Sequence, residues 1–154
     1  MKTLQAILKT NDSGAALLAR LTLGVVMFPH GAQKVLGWFG GYGFHGTMGF
    51  FTGTMHIPAF FAFLAIMTEF LGSIALILGV LSRIAALAVG VEMVVAIAMV
   101  HHVNGWFMNW SGTQKGEGYE YHLLTIGLAL IVLIYGAGKA SIDRALSARE
   151  SAGA

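Results

Sequence analysis

The chain has no cysteine, two prolines and little charge in its 154 residues. Without cysteine it forms no disulfide, offers no thiolate nucleophile and ligates no iron–sulfur cluster with its own residues. Asp, Glu, Lys and Arg make up 10% of it, against about 25% in soluble domains. The formal net charge is only +2 and the basic residues are spread along the chain, which argues against a nucleic-acid partner. Catalytic signatures are missing as well. The glycine-rich stretch 37–53 has no Gly-Lys-Ser/Thr ending, no H-E-x-x-H occurs, and no serine stands in a nucleophile-elbow context. Phosphate cradling, zinc proteolysis and serine acyl transfer are therefore unsupported.

What is present is apolar. Hydrophobic residues make up 56% of the chain and mean hydropathy is +0.75. Four stretches, at 14–36, 57–81, 83–102 and 119–138, approach the roughly 20 helical residues that cross a bilayer. They predict an all-α integral membrane protein, an antiparallel four-helix bundle forming one domain over 1–154. A long Gly/aromatic loop is expected between the first two helices. The second and third helices meet at Ser82 and Arg83 in a tight hairpin, and Pro58 suits a first helical turn, where its missing N–H costs nothing. Arg20 interrupts the first apolar stretch and no small-x-small site follows, so an uncleaved anchor is expected. Residues 4–8 are expected to form a short interfacial helix ahead of it.

Basic residues orient the bundle. With both termini cytoplasmic, the inner side holds Lys2, Lys9, Arg83, Lys139, Arg144 and Arg149, and the outer side only Lys34 and Lys115. On that topology all six histidines, His30, His45, His56, His101, His102 and His122, fall on the outer side with Glu117 and Glu120. Aromatic residues crowd both outer connections, as expected of anchors at headgroup level.

Three ionisable residues lie within the spans: Arg20, Glu69 and Glu92. A charge at mid-bilayer costs about 3 kcal/mol on insertion scales, so each is expected to face the bundle interior. Helical spacing agrees. Arg20 shares a face with Ala16, Gly24, Met27, Gly31 and Lys34; Glu69 with Ala62, Ala65, Gly72 and Ser73; Glu92 with Ala85, Ala88 and Ala96. Small residues mark close helix contact in membranes. Arg20 is thus expected to bridge toward Glu69, Glu92 or both, with Lys34 as a further cation from the outer side. Two roles stay open, a static clamp fixing helix register and a proton path through Arg20, Glu69 and Glu92.

The segments "LARLTLGVVMFPHGAQKVLGWFG", "TEFLGSIALILGVLSRIAAL" and "YGAGKASIDRAL" resemble the DoxX family of small bacterial membrane proteins. The shared signature runs through Arg20, Gly24, His30, Gly31, Lys34, Glu69, Gly72, Gly79, Glu120 and "GKASID". The resemblance implies four transmembrane helices in the bacterial inner membrane and association with membrane oxidoreductase complexes that use quinone.

Function follows as a set of expectations. A quinone headgroup is expected to meet His30, Lys34, Trp38 and Glu120, in an accessory subunit of a redox complex rather than in a stand-alone enzyme. Zinc or copper is the lesser cofactor expectation, with His30, His102 and His122 as the ligands; His101 and His102 diverge by about 100° on a helix and do not share one ion. A structural or assembly subunit, a small transporter and self-association through a second small-residue face remain open. A haem role finds no pair of histidines facing each other at mid-membrane.

Overall fold

A computed structural model of the chain describes residues 7–152. Every regular element among them is helical. The longest, α1 (Gly14–Leu36), begins where the Ser13 side chain accepts a hydrogen bond from Ala16 N at 3.1 Å, the usual satisfaction of a free N-terminal donor. It runs unbroken past Pro29 and stops at Gly37, whose φ of +73° is the left-handed conformation that suits glycine.

The predicted long loop is not a loop throughout. After a 3-10 turn at Trp38–Gly40 comes α2 (Gly43–Gly49), which passes into a π-helical turn at Phe50–Thr54. Phe44 meets Phe63 edge-on at 6.3 Å, so this segment packs against the next helix. The glycines that read as loop residues are tolerated here because neighbouring aromatics supply the contact.

Helix α3 (Ala59–Leu78) starts after Pro58 and carries a π turn at Thr68–Gly72. Helix α4 (Ser82–Asn104) carries another at Ile97–His101. These two and α1 are long and apolar enough to span a membrane. Helix α5 (Glu120–Tyr135) is shorter, with 16 residues, and α6 (Ile142–Ala152) is polar. Of the expected helix at 4–8, residues 4–6 lie outside the described residues; Ile7 and Leu8 are helical and Leu8 is buried.

Neighbouring helices run antiparallel. A Cβ on Gly24 would lie 2.9 Å from Ile77 Cγ1, and one on Gly31 would lie 2.5 Å from Phe70 Cα, so α1 and α3 touch backbone to backbone along the small-residue stripe. Arg83 at the start of α4 donates to Leu133 O and Ile134 O at the end of α5. The core between them is Leu23, Met27, Leu76, Ala86, Val89, Ala129 and Val132. Leu18, Phe60, Val91 and Leu124 point away from it and are exposed.

Candidate functional site

The polar groups collect at two ends of the molecule. At one end Arg20 is fully buried, and it does not reach either glutamate. Its Nε donates to Ala137 O at 2.9 Å, its Nη1 to Leu76 O and Ile77 O at 2.5 and 2.7 Å, and its Nη2 to Lys139 O and Ala140 O at 3.4 and 3.1 Å. The expected bridge from Arg20 to Glu69 or Glu92 is therefore corrected. The long side chain turns toward the free carbonyls at the end of α3, where a cation is favoured. Asp143 completes this clamp. Its carboxylate accepts from Leu81 N at 2.7 Å and Ser82 N at 2.9 Å, capping α4. Asp143 carries no signal of its own in the sequence beyond its place in "GKASID".

At the opposite end lies a cavity of about 640 Å³. Lys34 near the end of α1 and Glu69 in the π turn of α3 form an ion pair of 2.5 Å across it. Lys34, the second cation on the Arg20 stripe, takes the place expected of Arg20. Glu92 comes from α4 and lines the same cavity, within electrostatic reach of Glu69. Glu92 Oε2 is buried without a hydrogen-bond partner.

Three histidines also line the cavity: His30, His101 and His122. The rings of His101 and His122 are 4.1 Å apart. His101 Nδ1 donates to Glu117 O at 2.8 Å, while His122 Nδ1 is buried and unpartnered. Tyr121 stands between α1 and α5, its ring 6.3 Å from that of His30 and its hydroxyl 3.8 Å from Met27 Sδ. The remaining wall is apolar, from Met27, Phe50, Phe51, Met93 and Met99 among others.

The three π turns all open onto this space, through Phe50 and Phe51, through Glu69, and through Met99 and His101. A π turn inserts one residue into the helical repeat and is often found where a helix serves a site. Each here brings side chains to the cavity, the turn at Thr68–Gly72 in mid-helix and the turn at Phe50–Thr54 at the end of α2.

The expected quinone contacts divide. His30 and Lys34 line the cavity; Trp38 is exposed and outside it. Glu120 accepts from Met108 N at 2.8 Å and Trp110 Nε1 at 3.2 Å, holding the connection between α4 and α5. The expected metal ligands His30, His102 and His122 are not brought together. His102 lies outside the cavity, and among the described residues no three His, Asp or Glu side chains are grouped to hold an ion. Tyr121, His101 and Glu117 also line the site; the sequence places His101 and Glu117 on the outer side without marking them as ligand contacts, and does not mark Tyr121. Tyr121 and His122 sit at the start of a helix whose first turn carries Glu120, which was the available signal.

The model of the DoxX family matches residues 15–102, more than half of the chain. The chain belongs to the DoxX family. No curated protein and no solved structure matches it. The matched region holds nearly all of α1, all of α2 and α3 and nearly all of α4, with Arg20, Lys34, Glu69 and Glu92. Tyr121, His122 and Asp143, which close the cavity and the clamp, come from beyond it.

Proposed function

We propose that this DoxX-family chain is a four-helix inner-membrane protein with both termini cytoplasmic, and that its outer half binds a quinone as an accessory subunit of a membrane oxidoreductase complex. The observation that carries the reading is the cavity, an apolar-walled space of about 640 Å³ with the Lys34–Glu69 pair, Glu92, His30 and Tyr121 at its surface. Small-molecule sites have this character, about 300–1,000 Å³, mostly apolar, with a few convergent polar groups. A quinone ring stacks on aromatic and thioether side chains, while its oxygens need the donors that Lys34 and Tyr121 supply. The apolar edge formed by Phe50, Ile57, Val95 and Val100 suits an isoprenoid tail entering from lipid.

Orientation is supported by the excess of Lys and Arg at the Arg20 end. Family membership supports the redox setting. Thermal denaturation of the purified protein with a short-chain quinone tests the assignment. At about 100 times its Kd, a ligand adds roughly 2.7 kcal/mol, a clear rise in Tm. Lys34→Met is expected to abolish the rise. An unchanged Tm for the unaltered protein at saturating quinone overturns the reading.

A further inference from the structure

The cavity gathers eight groups that can carry a proton. Facing it are His30 and Lys34 from α1, Glu69 from α3, Glu92 and His101 from α4, Glu117 from the connection, and Tyr121 and His122 from α5. Glu92 and Glu69 line the same cavity and lie within electrostatic reach of each other. His30 lies within electrostatic reach of both Glu69 and Lys34. His122 lies within electrostatic reach of both His101 and His30, with the His101 ring 4.1 Å away. His101 bonds the backbone carbonyl of Glu117, an exposed residue at the cavity rim.

We propose that Glu69, His30, His122 and His101 form a proton path between the buried Glu92 carboxyl and the exposed rim of the cavity at Glu117. The chemistry of imidazole suits it, since a proton taken up on one ring nitrogen is released from the other. Because His101 Nδ1–H is committed to the Glu117 carbonyl, neutral His101 keeps its lone pair on Nε2. Nε2 accepts the proton arriving from His122, and Nδ1 releases its own to water at the rim, the Glu117 carbonyl holding the ring in place without itself taking a proton. Charge and protons balance over the transfer, and no electron moves. A cavity of this size holds water, which bridges links longer than a hydrogen bond. His122 Nδ1, buried and unpartnered, is the point where such water meets the histidine pair.

The path uses the cavity assigned above to a quinone but not the ligand, so its test is made without one. Infrared hydrogen–deuterium exchange is followed on the full chain in lipid. The carboxylic C=O stretch that disappears in Glu92→Gln belongs to Glu92. In the unaltered protein that band is expected to take its deuterated position promptly after transfer to D2O. In His122→Phe, which keeps a ring of similar size, the exchange is expected to slow by roughly 100-fold, the scale a positioned proton-transfer side chain contributes. His101→Phe is expected to slow it too, and it decides the matter should His122→Phe not fold. His102→Phe, off the cavity, is expected to exchange like the unaltered protein. Equal rates with and without the histidine ring, or no carboxylic band lost in Glu92→Gln, overturn the path. Failure of quinone binding leaves these outcomes unchanged.

Discussion

Arg20 gathers carbonyl oxygens from two segments far apart in the chain, Leu76–Ile77 and Ala137–Ala140. A planar guanidinium with five donors can do this; an ammonium cannot follow the same fork. Arg20→Leu leaves those carbonyls bare in a dry interior, and breaking such a buried network costs about 3 kcal/mol. The expected result is a lowered Tm with unchanged quinone affinity in the protein that remains folded. A loss of affinity equal to that of Lys34→Met would instead place Arg20 in the cavity. Asp143→Ala removes the cap on α4 and is expected to cost about 1–2 kcal/mol in the same denaturation. Leu81 and Ala140, both non-glycine residues at positive φ of 48° and 50°, lie beside these two side chains. Their backbone is held where L-residues seldom stay, because Leu81 N bonds Asp143 and Ala140 O bonds Arg20. At this scale the sequence revealed that Arg20 faces inward but not its partners. Depth counted along the helix locates a Cα, whereas the arginine stem reaches a full turn from it, and backbone carbonyls have no sequence signature.

The helices pair through their smallest residues. Gly31 brings α1 against Phe70 of α3 so closely that a methyl group would lie 2.5 Å from backbone atoms, which cannot yield as a side chain can. Gly31→Ala forces the two helices apart, and overpacking of this kind costs about 1–3 kcal/mol. Because Lys34 and Glu69 flank the contact, the ligand-induced rise in Tm is expected to shrink as well. The π turn at Thr68–Gly72 sets the direction of Glu69. Deleting the exposed Leu71 converts it to α-helix and turns the residues before it by about 100° relative to those after it. Helix content by circular dichroism is then expected to hold while quinone stabilisation disappears; retained stabilisation would separate the π turn from the site. The stripes around Arg20, Glu69 and Glu92 were legible because 3.6-residue spacing is visible in any helix. The π turns were not, since one inserted residue leaves no compositional mark. The helix at Gly43–Gly49 was hidden by glycines that read as a loop.

The whole molecule is closed by polar contacts at the Arg20 end and open through a cavity at the Lys34 end. That asymmetry matches the charge asymmetry that sets membrane orientation, so both descend from one distribution of residues. Helix α5 tests it most severely. Its 16 residues extend about 24 Å, less than the roughly 30 Å of hydrocarbon. A short span is accommodated by local thinning of the bilayer or by flanking side chains that reach the interface. Tyr119 and Tyr135 at its two ends suit that role, and the turn at Gly136 leads directly into the Arg20 clamp. If α5 crosses, Ser111 and Ala145 lie on opposite sides of the membrane; if it does not, they share a side. The natural absence of cysteine makes the distinction clean, because a single introduced thiol is the only one present. Ser111→Cys is expected to react with a membrane-impermeant maleimide in cells whose outer membrane alone is permeabilised. Ala145→Cys is expected to react only after the inner membrane is opened. Labelling of both before that step would remove the fourth span and the cytoplasmic C-terminus, and would leave the Arg20–Asp143 clamp on the wrong side of the bilayer for its neighbouring basic residues.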